Sequence, residues 1–463
     1  MEIQLPQEFE DRIRRDLGNE ADSFLRSFID APKRGLRINP LKTDEAGEKR
    51  ISADMEHVPW ERHGYCYEDS RPGRSPLHAA GAYYIQEPSA MAPVGFLGLR
   101  PGMCVLDLCA APGGKSTQIA SYLAGEGLLT ANEPVRERAA ILSQNIERMG
   151  IRNALVLSHD PERLAERFPA AFDRILVDAP CSGEGMMRRD ETAVREWSLQ
   201  SAAMCAKRQE TILDAAAVML KPGGRLVYST CTFSQEENEE QTAHFLEKYK
   251  DFHMAEVSSF PGMRAEGGMI RIWPQDGYGE GHFMAVLDRD GVNDHGSYGY
   301  HGAGELPLNN KQKQEIKPYL DFVSDVIKDG DLRAALTDEK RLFAFGKKLC
   351  LMPSGGLPVL SGLKVVRAGL ELGELHRDRF MPSHALALAL KPKDAVRVFE
   401  LGEDDREGSD ARLYFSGQII KDPAPRDNGW TLVTVSGIAA GWVKASNGIL
   451  KNHYPKGLRI NYQ

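Results

Sequence analysis

Short hydrophobic runs alternate with amphipathic stretches through the middle of the chain. Six of the runs are predicted to be β-strands: 104–108, 127–133, 154–160, 173–180, 224–231 and 282–287. Helices are predicted between them: 116–123, 135–149 and 199–220. Pro134 is expected as the first residue of the second helix and Gly150 as its C-terminal stop. Because continuous apolar strands that alternate with helices are buried on both faces, the pattern predicts a doubly wound, parallel α/β sheet.

The flanking regions have different patterns. Residues 1–75 mix helical periodicity with the extended stretch "GLRIN", which predicts a small α/β domain, while strand-like pieces such as "RLYFSGQII" and "GWTLVTVSG" predict a small β-rich module at the C-terminal end. A polar stretch at 290–307 is typical of a linker, and 308–380 has no clear class. The predicted domains are 1–95, 96–290, 291–380 and 381–463.

Length and composition place the chain among soluble globular proteins of several domains. It has 463 residues, of which 42% are hydrophobic and 27% charged. It contains no apolar stretch long enough to cross a membrane and no signal-peptide pattern at its start, so we expect a cytoplasmic protein without a membrane partner. The seven cysteines are scattered without a CxxC pair or zinc-type histidine spacing, so neither a disulfide framework nor a metal site is predicted.

A net charge of −8 argues weakly against a nucleic-acid partner, but two segments are locally basic. Residues 33–42 contain no acid, and neither does the chain from Asn428 onward. The first segment contains Lys33, Arg34, Arg37 and Lys42, and the closing stretch 441–463 of the second contains Trp442, Lys444, Lys451, Tyr454, Lys456, Arg459 and Tyr462. Such residues suit phosphate contacts and base stacking, although a solvated basic face would have the same pattern.

The first strand of the predicted sheet runs into a turn of small residues, "DLCAAPGGKST". A phosphate-binding P-loop would need a glycine where Cys109 stands, so that motif fails. Backbone N–H groups in a turn of this kind can approach a ligand closely at the start of a helix. The candidate cofactor-binding residues here are Cys109, Ala110, Ala111, Pro112, Gly113, Gly114 and Lys115.

Acidic residues follow the next two strands. Glu133 is placed to accept hydrogen bonds from ribose hydroxyls, and Asp160 from an adenine amino group. Asp160 would also suit a helix cap or a solvated turn, and Lys115 a solvent-exposed loop end. Together with the turn, the two acids predict a pocket for a nucleoside-bearing cofactor.

The fourth and fifth strands end in "DAPCSGEGMMRRDE" and "STCT". Because these strands are expected to be neighbours, Cys181 and Cys231 should converge on one crevice beside Asp178. No histidine completes a zinc site and no CxxC suggests a redox pair, so nucleophilic catalysis fits best. Arg188 and Arg189 would place phosphate-binding charge next to the crevice.

Four segments resemble a known family: "YYIQEPSAM" (83–91), "DLCAAPGGKST", "DAPCSGEG" and "YSTCTFSQEEN". They resemble the motifs of RNA cytosine-5 methyltransferases of the Sun/nucleolar-protein family. The overall layout is also similar to bacterial 16S ribosomal RNA methyltransferases of the F type, including the closing "GWVKASNGILKNHYPKGLR". DNA cytosine-5 methyltransferases lack the second cysteine, and amino-methylating enzymes have an aromatic residue at the position of Cys181.

The resemblance implies a Rossmann-like class I methyltransferase core, an N-terminal RNA-binding domain and a C-terminal PUA-like RNA-binding module. It implies S-adenosylmethionine as cofactor, held by residues 109–115, Glu133, Asp160 and Asp178. Cys231 would attack carbon 6 of cytosine, Cys181 would assist release, and Asp178 would contact the ring. The expected substrate is 16S ribosomal RNA, and the expected state is a monomer. Methylation of transfer RNA and a non-catalytic RNA-binding assembly factor are the alternatives, whereas an NTPase fails at Cys109.

Overall fold

The computed structural model describes residues 5–68, 72–293, 308–377, 379–404, 406, 408–421 and 427–461. Most of the linker predicted at 290–307 lies outside these residues. Among the described residues, no helix combines the length and apolar content that crossing a bilayer requires.

The N-terminal region is a small α/β unit, as predicted. Its elements are α1 (Gln7–Leu17), α2 (Ala21–Ser27), β1 (Arg34–Ile38), α3 (Glu45–Ile51), β2 (Glu56–His57), β3 (Gly64–Tyr67), α4 (Pro76–Ala79), β4 (Tyr83–Ile85) and α5 (Ala92–Gly95). The strands form an antiparallel sheet of order β2-β3-β1-β4. Helix α1 carries acidic residues in its first turn and arginines in its last, which complements the helix dipole.

The middle of the chain builds the largest sheet. Its elements are β5 (Cys104–Asp107), α6 (Gly114–Leu123), β6 (Leu128–Asn132), α7 (Arg136–Arg148), β7 (Ala154–Leu157), α8 (Pro161–Arg167), β8 (Phe172–Asp178), α9 (Glu191–Glu196), α10 (Leu199–Met219), β9 (Leu220–Thr230), α11 (Glu239–Lys248), β10 (Phe252–Met254), β11 (Arg264–Glu266), β12 (Met269–Ile272) and β13 (His282–Arg289).

In this central sheet the strands run β11-β12-β13-β9-β8-β5-β6-β7, and β10 pairs with β13. Strands β9, β8, β5, β6 and β7 are mutually parallel, and β13 runs antiparallel to β9. Apolar residues of α8, α10 and α11 pack on one face, and those of α5, α6 and α7 on the other. The predicted doubly wound fold is therefore confirmed, and its ligand-binding edge is the carboxyl edge of the parallel strands.

The start of the second predicted helix differs from the prediction. Helix α7 begins at Arg136, not at Pro134, because the carboxylate of Glu133 accepts a hydrogen bond of 3.1 Å from the Val135 backbone N–H and holds the chain extended. The helix ends at Arg148, and Gly150 follows in a left-handed conformation (φ 70°), as its predicted role as a stop requires.

Residues 308–382 add helices and a second antiparallel sheet. The elements are α12 (Asn310–Glu315), α13 (Lys317–Val326), α14 (Gly330–Leu336), β14 (Leu342–Phe345), β15 (Lys348–Leu351), β16 (Val365–Ala368), β17 (Leu370–His376) and β18 (Arg379–Pro382). The sheet order is β14-β15-β17-β18, whereas β16 pairs antiparallel with β7 and becomes a strand of the central sheet. The unclassified segment is thus packed directly onto the α/β core.

The C-terminal module is β-rich, as predicted. Its elements are α15 (His384–Leu388), β19 (Val398–Leu401), α16 (Asp410–Phe415), β20 (Ile420–Lys421), β21 (Gly429–Val435), β22 (Ile438–Ser446) and β23 (Ile449–Asn452), with sheet order β19-β21-β22-β23-β20. The strand predicted from "RLYFSGQII" is wrong over its first half. Ser409 caps a helix there, and Ala411, Tyr414 and Phe415 are buried at helical spacing.

Candidate active site

The turn that follows β5 positions the first part of the site. Gly113 has a φ of 116°, which side chains rarely tolerate, and an added Cβ would lie 3.1 Å from Leu142. Helix α6 then begins at Gly114 with no side-chain cap among the described residues. Because the first N–H groups of a helix have no partner within it, this turn presents donors and a positive dipole end to the crevice.

Asp107, the last residue of β5, lies beneath this turn. It is fully buried, and its Oδ2 accepts a hydrogen bond of 2.6 Å from Ser116. Its Oδ1 has no hydrogen-bond partner among the described residues. Burial raises the pKa of Asp107 to about 7. Burial and the nearby acids, Asp107 first among them, also raise the pKa of the Cys109 thiol, which marks Cys109 as part of the turn rather than as a nucleophile.

The acids after β6 and β7 lie on the same edge of the sheet. Glu133 is buried, and its Oε2 lies 3.5 Å from Arg138 Nη1. Asp160 is exposed and occupies the N-cap position of α8, but its side chain makes no capping hydrogen bond within the described residues. The cap alternative therefore does not account for the Asp160 carboxylate, whereas its exposure fits both the predicted ligand contact and the alternative of a solvated turn residue.

The two predicted cysteines meet. Strands β8 and β9 are adjacent and pair Asp178 with Ser229, so the loops after them begin side by side. The Sγ atoms of Cys181 and Cys231 lie 3.4 Å apart, within hydrogen-bond range for sulfur, and neither thiol is in a disulfide. The hydrogen bond with Cys231 and burial raise the pKa of Cys181 well above its ordinary value. Cys181 therefore keeps its proton and can donate a hydrogen bond to Cys231.

Asp178 is the charged centre of the crevice. Its Oδ2 accepts a hydrogen bond of 2.7 Å from Lys115 Nζ, and its Oδ1 accepts one of 2.9 Å from Ser229. Burial alone would raise the pKa of Asp178, but Lys115 and His282 together hold it below its ordinary value, so the carboxylate is ionised. Lys115 is buried against Asp178, which excludes the alternative of a solvent-exposed loop end for it.

Two buried acids behind the cysteines were not predicted. Glu184 accepts hydrogen bonds from Arg12 (2.7 Å), Trp197 (2.8 Å) and the Phe233 backbone N–H (2.9 Å), which ties the loop after β8 to that after β9 and to α1. Glu237 accepts a hydrogen bond of 3.0 Å from the backbone N–H of Ser182. Both residues stand inside the quoted motifs, so their proximity to the cysteines in sequence was the available signal.

Arg188 and Arg189 do not provide the predicted free charge. Both form ion pairs with Glu280: Arg188 Nη1 lies 3.3 Å from Oε2, and Arg189 Nη2 lies 3.2 Å from Oε1. Arg188 also donates a hydrogen bond of 3.0 Å to the Asp30 carbonyl. The Arg188 side chain is only 5% exposed. These guanidinium groups fasten the loop after β8 to the N-terminal region rather than lining a phosphate site.

The basic segment 33–42 is divided between surface and core. Arg34 is exposed and Lys33 half-buried, whereas Arg37 is 1% exposed and donates hydrogen bonds to the Gly114 carbonyl (3.0 Å) and Thr117 (2.7 Å). Lys42 donates a hydrogen bond of 2.8 Å to the Ala439 carbonyl. Arg37 and Lys42 therefore stabilise contacts within the protein, and the prediction of a phosphate-binding role for them is wrong.

The C-terminal basic segment is divided in the same way. Trp442 and Tyr454 are buried in the module, which rules out base stacking on them, while Tyr462 lies outside the described residues. The cations remain on the surface: Lys444, Lys451, Lys456 and Arg459.

Comparison with known protein families gives four matches along the chain. A model described as 16S rRNA methyltransferase RsmB/F matches residues 94–288, and the N-terminal domain of 16S rRNA methyltransferase RsmF matches 5–88. The RsmF rRNA methyltransferase first C-terminal domain matches 325–390, and the methyltransferase RsmF PUA domain matches 404–460.

Individual relatives match over nearly the whole length. The chain is 32% identical to ribosomal RNA small subunit methyltransferase F of Vibrio vulnificus, with 98% of each chain covered. It is 33% identical to the protein of that name from Shigella boydii, over 94% of this chain and 92% of the relative.

Solved structures of similar fold come from Pyrococcus horikoshii. A methyltransferase homolog is 28% identical, with a TM-score of 0.55, and the match covers 62% of this chain and 96% of that one. The structure of NSun6 with SFG has a TM-score of 0.55 at 21% identity, over 62% of this chain and 99% of that one, and shows the shared fold alone.

Proposed function

The chain belongs to the RsmB/F family of 16S rRNA methyltransferases, and we propose that it methylates carbon 5 of a cytosine in the RNA of the small ribosomal subunit. The family establishes an S-adenosylmethionine-dependent RNA methyltransferase. The position of the methyl group and the covalent route to it are our proposal. The observation that carries the proposal is the pair of thiols 3.4 Å apart at the ends of β8 and β9.

The residues at the carboxyl edge fit S-adenosylmethionine. The uncapped start of α6 suits its carboxylate, and the unpartnered Oδ1 of Asp107 suits its ammonium group. Glu133 and Asp160 stand at the ends of β6 and β7, where ribose hydroxyls and an adenine amino group need acceptors. When bound, the cofactor supplies an electrophilic methyl group.

Cys231 is proposed as the nucleophile. Carbon 5 of cytosine is weakly nucleophilic, and addition of a thiolate to carbon 6 makes it reactive by pushing the electron pair of the ring double bond toward carbon 5. Cys181 holds its proton and can donate a hydrogen bond to the Cys231 thiolate before attack. Asp178, ionised by its contact with Lys115, can accept a hydrogen bond from the exocyclic amino group of the base.

Release of the product needs the reverse movement of electrons. After carbon 5 is methylated, its proton passes to solvent water, and the electron pair of that C–H bond re-forms the double bond between carbons 5 and 6. The bond between carbon 6 and Cys231 Sγ breaks, and its electron pair leaves with the sulfur as a thiolate. Cys181 is proposed to assist this step, since its sulfur contacts that of Cys231. The target cytosine must leave its stack to reach the crevice, so a looped or flipped base is expected. All the residues named in this mechanism come from one chain, which is consistent with a monomer.

The test is transfer of labelled methyl groups to small ribosomal subunits from cells that lack this chain, compared with free ribosomal RNA and transfer RNA. Cys231→Ala is expected to abolish transfer while leaving cofactor affinity unchanged. Cys181→Ser is expected to accumulate a covalent protein–RNA adduct on a denaturing gel, because attack continues while release is impaired. Full activity of Cys231→Ala would overturn the covalent route, and transfer confined to transfer RNA would overturn the substrate.

A further inference from the structure

His282 is a buried residue of the crevice that belongs to none of the motifs. It opens β13, which runs antiparallel to β9, and the next residue, Phe283, pairs with Thr230. Because the two strands run in opposite directions, the amino end of β13 lies at the carboxyl edge of the sheet, level with the end of β9. The fold therefore places an imidazole beside the loop that carries Cys231.

The imidazole points at the charged centre of the site. Its Nε2 lies 3.6 Å from Asp178 Oδ1, and the side chain is 3% exposed. This distance exceeds that of a hydrogen bond, and Nε2 has no hydrogen-bond partner among the described residues. A buried polar nitrogen without a partner costs stability, which calls for a compensating role in function.

The other contacts of Asp178 show what a third donor would add. Lys115 holds Oδ2 from the side of α6, and Ser229 holds Oδ1 from β9. The Asp178 side chain is 31% exposed, so one side of the carboxylate faces the open crevice. A donor from β13 would fix the rotation of the carboxylate from a third direction and leave the open side for the substrate.

We propose that His282 is a positioning residue for Asp178, whose Nε2–H donates a hydrogen bond to Oδ1 and holds the carboxylate in the orientation that accepts the cytosine amino group. This inference rests on the proposed function. Shortening this contact from 3.6 Å to a hydrogen bond of about 3.0 Å takes a shift of about 0.6 Å, which is part of the proposal. His282 acts through Asp178 and exchanges no proton with the substrate.

Two substitutions of His282 distinguish a role in positioning Asp178 from a role in packing. His282→Phe keeps a planar ring but removes the donor, whereas His282→Gln retains an N–H group close to the position of Nε2. With small ribosomal subunits from cells that lack this chain, His282→Phe is expected to lower kcat about 10- to 100-fold, as loss of one hydrogen bond to a charged group allows. The KM for subunits and the affinity for S-adenosylmethionine should stay within about twofold of the wild type.

His282→Gln is expected to recover most of the lost kcat. In a Cys181→Ser background, His282→Phe should also slow the single-turnover appearance of the covalent adduct by the same factor as kcat. Equal losses in the two variants, or a loss confined to cofactor affinity, would make His282 a packing residue and overturn the inference. Unchanged kcat in His282→Phe, with Cys231→Ala inactive, would overturn it while leaving the proposed function in place. Activity of Cys231→Ala would instead remove the proposed function.

Discussion

The sequence predicts ligand-binding residues both at the carboxyl edge of the central sheet and in the basic segment 33–42. The side chains at the sheet edge face a common crevice, whereas two of those in the basic segment are bonded within the protein. At the sheet edge, Cys181, Cys231 and Asp178 lie together around one crevice. In the basic segment, Arg37 and Lys42 turn inward and bind carbonyl oxygens of the protein. The same residue types that suit a ligand can equally join two parts of a fold.

The difference comes from what fixes the position of each side chain. A residue that follows a parallel strand is placed at the ligand-binding edge by the topology of the sheet, whatever its neighbours are. A cation in a charged stretch has no such constraint, because its long side chain reaches either solvent or a buried acceptor. In β1, alternation across the strand sends Arg37 into the space next to α6 while Arg34 stays exposed.

The largest effect is expected at the sheet edge. Asp178→Asn removes the charge that pairs with Lys115 and converts an acceptor that faces the cytosine amino group into a mixed donor and acceptor. Single-turnover methyl transfer is expected to slow about 10²- to 10⁴-fold, the range for loss of a group that acts on the reacting ring. Rapid-quench measurements with labelled S-adenosylmethionine would show the change.

Asp160→Asn is the matched control for this substitution. Asp160 stands at the same edge but is assigned to the adenine end of the cofactor, so its loss should weaken cofactor binding and leave the rate at saturating cofactor unchanged. A rate for Asp178→Asn close to that of the wild type would show that the charged centre of the crevice takes no part in catalysis.

A smaller effect, on stability, is expected from the buried arginine of β1. Arg37→Met removes, in a buried site, the guanidinium that donates to Gln86, Thr117 and the Gly114 carbonyl, of which only the carbonyl keeps another donor, the Thr117 hydroxyl. We expect a loss of about 1–3 kcal/mol in the free energy of unfolding, as for buried neutral acceptors that lose their donor. Thermal unfolding followed by circular dichroism would measure it, and cofactor affinity should fall because Gly114 opens α6.

Arg34→Met, three residues earlier on the same strand, is the control. Its exposed side chain should leave the unfolding temperature nearly unchanged. Equal destabilisation by the two substitutions would mean that the burial of Arg37 does not distinguish it from its neighbour.

Features set by the order of the parallel strands could be predicted from the sequence, whereas features set by contacts between distant segments could not. The strands of the core and the convergence of Cys181 with Cys231 could be predicted, since strand order alone brings those two loops together. His282 could not, because its place at the carboxyl edge depends on β13 running antiparallel beside β9. Nor could β16, a short strand that joins the sheet only through its pairing with β7. Local patterns specify elements, whereas contacts between elements distant in sequence require the fold.

The smallest effect is expected on the surface of the C-terminal module, where cations did stay exposed. Lys444 and Lys451 lie directly opposite each other on β22 and β23, and Lys444 also lies 5.7 Å from the ring centroid of Trp430. Like charges in opposite positions destabilise a sheet, so a phosphate that binds between them would relieve their repulsion.

The double substitution of Lys444 and Lys451 by alanine is expected to weaken binding of ribosomal RNA about three- to tenfold. The slope of the logarithm of the binding constant against the logarithm of salt concentration should become shallower by about 1.4, which corresponds to two phosphate contacts on single-stranded RNA. Filter binding at several salt concentrations would measure both.

Lys42→Met should lower the unfolding temperature and leave the salt dependence unchanged, because its ammonium group already binds the Ala439 carbonyl. If Lys42→Met changed the salt dependence and the double substitution did not, the assignment of surface and core cations would be reversed. The basic segment 33–42 would then be the one that contacts RNA.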